Sequence, residues 1–257
     1  MKELLTFILL ITHISLIKAQ DTSRVLTQKP INTLDLGIGL GYTALQSKII
    51  SPFVFEGFGV PFHLTYRQKK RLKKQYIQVL FQNQALNSPF NARMDYTTGH
   101  LLYGYLRQVK KWQNGSLFLG GEWQTQISNR VIPNFINAQF FSVLHSLNFA
   151  GQLEYHLKKH QIEAQVALAV LGKRPDSNFI TTISDPKDNA WSYMTSGKVE
   201  TLPQYFNGTV RLTYCPPSRL KFLRWRFEYV GNYHQFRQYN FFGVLQHQLL
   251  TSLTYQF

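Results

Sequence analysis

Thr33-Leu34-Asp35-Leu36-Gly37-Ile38-Gly39-Leu40-Gly41-Tyr42-Thr43 alternates at every step. Leu34, Leu36, Ile38, Leu40 and Tyr42 form one face; Asp35, Gly37, Gly39 and Gly41 form the other. Successive side chains of an extended chain point to opposite sides, so a period of two predicts a strand with one apolar wall.

The rhythm recurs along the chain. Gly57–Arg67, Gln75–Gln84, Thr97–Val109, Ser116–Gln126, Phe141–Leu157, Gln161–Leu171, Phe206–Tyr214, Leu220–His234 and Val244–Phe257 each set an apolar row against a polar or small one. Thr97–Val109 is the least clean, with both faces partly apolar, and Leu101, Tyr103 and Tyr105 are taken as its outward row. Ten strands result, each near the 9–11 residues that a tilted strand needs to cross a bilayer. Their connections alternate in length. Gln68–Lys74, Lys110–Gly115, Lys158–His160 and Cys215–Arg219 are short, whereas Ala44–Glu56, Ala85–Tyr96, Ile127–Phe140 and Gly172–Tyr205 are longer. Short turns on one side and long loops on the other fit a transmembrane up-and-down antiparallel β-barrel of about ten strands, with eight to twelve compatible, and place the short side in the periplasm.

Composition agrees. Aromatic residues make up 15% of the 257-residue chain and charged residues only 16%, against about 25% charged in soluble domains. After the start of the chain no second long apolar run occurs, so any membrane crossing must be made by strands closed on themselves. A soluble barrel reads with the same alternation but with the apolar face inward. Aromatics near segment ends, such as Tyr42, Tyr66, Tyr155, Tyr214 and Phe257, favour lipid outside.

Residues 1–19 have a basic start at Lys2, an apolar run from Leu4 to Ile17 and a small residue at Ala19. These are the parts of a secretory signal peptide, and the run is short for a spanning helix. The expected layout is a signal at 1–19, a periplasmic segment at 20–32 and the barrel at 33–257. Cys215 is the only cysteine, which excludes an intramolecular disulfide and a cysteine-built metal site. No cofactor or metal set is read.

Thr254-Tyr255-Gln256-Phe257 resembles the last strand of bacterial outer-membrane β-barrel proteins, which commonly end in Phe. Lys18-Ala19-Gln20-Asp21 resembles the signal ends of Bacteroidota secreted proteins. The resemblance implies the outer membrane of a Gram-negative bacterium, with lipid and lipopolysaccharide around the wall. It also implies delivery by the barrel assembly machinery through the Phe257 strand.

The polar rows collect ionisable groups in the expected lumen. Glu122, Glu154, Glu163, Arg211, Arg224, Arg226 and Glu228 are read as one charge network, because isolated charges in so narrow a space are costly. Its role is structural or, as a positive wall, selective for anions. His145-Ser146 invites a hydrolase reading, but neighbours on a strand face opposite ways and cannot act as base and nucleophile. Asp185 and Asp188 with His234 could mimic the rim of an outer-membrane protease. The net charge is +15, of which Lys2, Lys18 and Glu3 account for +1. Much of the rest lies in the short turns, at Lys69-Lys70-Arg71, Lys73-Lys74, Lys110-Lys111 and Lys158-Lys159. Inner-leaflet phosphates or an acidic periplasmic partner suit these turns; nucleic acid does not, for want of compartment and module. The reading is a non-enzymatic barrel with a structural, interaction or narrow-channel role. A hydrolase acting on lipid or peptide at the external rim and a small anion-preferring pore are the alternatives.

Overall fold

The computed structural model describes residues 30–48, 51–133, 138–174, 198–201, 204–220, 222–236 and 242–257. The expected signal at 1–19 and Asp185 and Asp188 lie outside them. Ten long strands make the wall: β1 Ile31–Ser47, β2 Ser51–Lys70, β3 Lys73–Asn87, β4 Arg93–Trp112, β5 Gly115–Ile132, β6 Ala138–Leu157, β7 His160–Arg174, β9 Tyr205–Cys215, β10 Leu223–Phe236 and β11 Phe242–Gln256. The short β8, Lys198–Glu200, pairs with the far end of β7, beyond the reach of β9.

Each of the ten long strands pairs antiparallel with the long strand before it and the one after it, and β1 pairs with β11 from Thr33↔Gln256 to Ser47↔Phe242. The sheet therefore closes and leaves no long edge, which is the condition for a strand wall in lipid. Two backbone bonds between Asn32 and Phe257, of 3.0 and 3.3 Å, fasten the seam. The start of β1, the end of β11 and the four short turns share one end, called here the near end.

The faces decide what surrounds the barrel. Leu36, Leu40, Phe58, Phe62, Phe81, Phe149, Trp225 and Leu249 are exposed, between 50% and 68%. Asp35, Glu122, Glu154, Gln82 and Gln246 are buried at 2% or less. Grease outside and charge inside reverses the order of a soluble protein and is that of a transmembrane β-barrel. Val143, whose alternation with Leu147 and Phe149 predicts an outward place in Phe141–Leu157, is instead fully buried.

Several strands exceed their expected bounds. β2 and β4 each span 20 residues, about twice the bilayer requirement. Most of Ala44–Glu56, expected as a loop, is a β1–β2 ladder, and β3 with β4 similarly takes up much of Ala85–Tyr96. In these far-end extensions the faces exchange character. Tyr42 donates to Glu56 at 2.6 Å and Thr97 to Asn83 at 3.1 Å on the outer surface. Leu45, Phe55, Leu86, Met94 and Tyr96 point inward and are buried. There polar side chains join the outer face and the inner face turns apolar, the inner arrangement of a soluble barrel.

Candidate functional site

The interior is the candidate site, and β3 and β10 show its layering most plainly. On β3, from the near end, the inward row reads Lys74, Tyr76, Gln78, Leu80, Gln82, Gln84, Leu86. On β10 it reads Arg224, Arg226, Glu228, Val230, Asn232, His234, Phe236. The lumen thus has three storeys: charges at the near end, amides in the middle and hydrocarbon at the far end.

The charged storey is a continuous chain of ion pairs. Lys69 Nζ lies 2.6 Å from Glu154 Oε1, and Lys74 Nζ lies 2.7 Å from Glu154 Oε2 and 3.8 Å from Glu163 Oε1. Arg226 Nη2 is 2.9 Å from Glu163 Oε2, and its Nε is 3.6 Å from Glu228 Oε2. Arg67 joins Glu228 at 3.5 Å and also pairs with Asp35. Deeper, Arg211 Nη1 meets Glu122 Oε1 at 2.9 Å, and Glu122 also accepts from Tyr76 and Gln165. These pairs balance five carboxylates against five Lys or Arg. Lys74 to Glu154 joins β3 to β6, which are separated in the wall by β4 and β5, so the pair crosses the lumen. Tyr76 reaches Glu122 by lying over Gly104, where any Cβ would stand within 2.5 Å of its ring atoms. Only a glycine admits the ring at that point.

Glu122, Glu154, Glu163, Arg211, Arg226 and Glu228 of the expected set therefore lie together. Arg224 does not: it is exposed at the mouth, one residue into β10, where water is within reach of its side chain. Lys69 and Lys74, read from the sequence as part of a basic turn, belong to the interior instead. Both continue the inward rows of their strands, at two-residue steps from Arg67 and Tyr76. Extending the alternation would have found them.

A cavity of about 310 Å³ opens among these charges, with Arg67, Lys74, Glu163, Arg224, Arg226 and Cys215 in its lining. Cys215 is a free thiol, 3.9 Å from Arg226 Nη1. Farther in, the voids shrink to about 40 and 30 Å³.

The middle storey fills the bore with neutral amides. Gln248 donates to Gln82 at 2.9 Å, Asn232 to Thr209 at 2.8 Å, and Asn207 to Gln124 and Ser146 at 3.3 Å each. Buried amides must be paired in this way, so the layer is held by its own bonds. Above it Leu45, Phe55, Leu86, Met94, Tyr96, Leu144, Tyr205, Phe236, Phe242 and Val244 pack into an apolar plug. Arg130 sits over the Phe242 ring at 4.8 Å.

The two catalytic readings meet this geometry poorly. His145 faces outward, bonded to Thr125 at 2.9 Å and stacked on Trp123, while Ser146 faces the lumen. His234 is 2% exposed, bonded to Asn232 and packed against Phe236 and Phe242 beneath the plug, not at a rim. Among the described residues no group of three His, Cys, Asp or Glu is placed to hold a metal.

No family model and no curated protein matches the sequence. Solved structures do match in shape. The outer membrane protease OmpT from Escherichia coli aligns with a TM-score of 0.58 at 8% identity, over 92% of this chain and 100% of that one. The translocator domain of the autotransporter NalP from Neisseria meningitidis aligns at 0.44 and 8%, over 97% and 95%. An outer membrane channel from Pseudomonas putida F1 aligns at 0.40 and 7%, over 93% and 99%. At such identities the likeness is one of fold, and the chain is a closed antiparallel ten-strand β-barrel of the outer-membrane type.

Proposed function

We propose that this chain is an outer-membrane barrel of a Gram-negative bacterium, exported by residues 1–19, that works as a non-conducting interaction protein. One observation carries the reading. An apolar plug closes the far end of a lumen already filled by paired amides. An ion entering from the near end would have to leave its water among Leu86, Met94 and Tyr96, and shedding hydration without replacement is prohibitive. The charged storey below is balanced, which suits cross-bracing of the wall better than selecting anions. With the bore closed, what the molecule offers is its two rims. On this reading β11 and the Phe257 that follows it engage the assembly machinery, β11 then closes the seam on β1, and the exposed aromatic rows meet lipid and lipopolysaccharide.

Planar-bilayer recording tests the proposal. Protein whose folding has been checked by its heat-shifted gel mobility is expected to give no current steps. Reproducible unitary conductance would overturn it and leave the anion-pore alternative standing.

A further inference from the structure

The near end carries four turns of one composition. Lys70-Arg71-Leu72-Lys73, Lys110-Lys111-Trp112, Leu157-Lys158-Lys159 and Arg219-Leu220 each set an exposed large apolar side chain beside exposed cations. Leu72, Trp112, Leu157 and Leu220 are 47%, 36%, 51% and 50% exposed. A bulge at Gln108/Lys110 shifts the register of β4, so that Lys110 pairs with outward-facing Leu117 and Trp112 turns to the outer surface. Phe222 and Phe257, at 53% and 60%, continue the apolar ring. Among the described residues no Asp or Glu side chain at this end is exposed. Asp35, Glu122, Glu154, Glu163 and Glu228 are all buried in the lumen and matched there by cations of their own.

We infer that the near-end rim is a binding collar for anionic phospholipid, the phosphates held by Lys70, Arg71, Lys73, Lys110, Lys111, Lys158 and Lys159. Two features select a lipid over an acidic protein or polymer in the periplasm. The apolar side chains stand among the cations, where headgroups and acyl chains meet, and such amphipathic mixing is what an interface requires. The pattern also encircles the wall through all four turns, as a surrounding leaflet does, instead of gathering on one side as a docking patch would. Placing that leaflet in the periplasm rests on the outer-membrane reading; the affinity itself does not.

Trp112 is a built-in reporter. A W123F/W191F/W225F protein, which keeps only Trp112, is folded into vesicles of phosphatidylethanolamine with a minority of phosphatidylglycerol. One lipid or the other carries brominated chains that quench indole fluorescence. Quenching by brominated phosphatidylglycerol is expected to report a local fraction about fivefold above bulk, the factor one surface cation supplies. Adding R71Q/K73Q/K110Q/K111Q/K158N/K159Q should abolish the enrichment while the heat-shifted folded band persists. Equal local and bulk fractions in the W123F/W191F/W225F protein would overturn the inference. So would a Trp112 shift caused by soluble polyglutamate without lipid enrichment, which would make the collar a dock for an aqueous polyanion. Neither outcome bears on conductance or cellular location, so the two proposals fail separately.

Discussion

Glu122 holds the inner end of the charged storey. Its side chain has no exposure and accepts from Arg211, Tyr76 and Gln165 at once. Glu122→Gln leaves the Arg211 guanidinium buried without its counter-charge, and breaking a buried pair from one side costs about 3–5 kcal/mol. The expected result is a clearly lower urea midpoint for the vesicle-folded barrel. Replacing both partners, as E122M/R211M, should recover most of the loss, because no orphaned charge remains. At this scale the sequence was partly readable. The acids and arginines of the polar rows could be assigned by parity alone. Lys69 and Lys74 were hidden because they adjoin Lys70 and Lys73, and a run of five basic residues within six positions looks like one solvated turn. The structure divides it, because strand geometry continues through Lys70 and resumes at Lys73.

Each strand crosses two environments, and substitutions should report where the crossing lies. Ile38 stands mid-row on β1 and is 50% exposed, whereas Leu34, 39% exposed, begins the same outward row toward the near end. Ile38→Arg is expected to cost about 2–4 kcal/mol and Leu34→Arg about 0–1, the depth dependence of arginine on a lipid-facing wall. Equilibrium folding of the two variants into vesicles measures the difference; equal costs would contradict the depth assigned here. Leu86→Ala probes the plug instead. It empties part of a fully buried side chain and should cost about 2–5 kcal/mol. Limited proteolysis should then cut the far-end extensions before the rest of the wall. The same plug explains what the alternation could not give. A period of two is visible only where the two faces contrast. At Leu45, Leu86 and Met94 the lumen itself is apolar, so the contrast fades and Ala44–Glu56 and Ala85–Tyr96 read as loops. The mixed faces of Thr97–Val109 have the same cause, since Leu102 and Leu106 pack inside with Tyr76 and Phe118.

For the molecule as a whole, the exchange of faces at the far end fixes a height. On β1 the outward apolar row runs from Leu34 to Tyr42 and gives way to Ala44 and Gln46; across the ladder Glu56 takes the same level. Nine residues at 3.3 Å each, tilted by about 40°, make a greasy belt roughly 23 Å tall. That is short of the ~30 Å hydrocarbon of a typical bilayer, and bacterial outer membranes are thinner than average. The mismatch is one-sided. A thick bilayer submerges Gln46, Glu56, Asn83 and Thr97 on one rim or the lysines on the other, whereas a thin one merely bares some leucine. Folding yield is therefore expected to fall as vesicle acyl chains lengthen from 12 to 18 carbons. A barrel so proportioned acts as a gauge: its stature alone, with no receptor reading an address, would sort it toward the shallower of the membranes it meets.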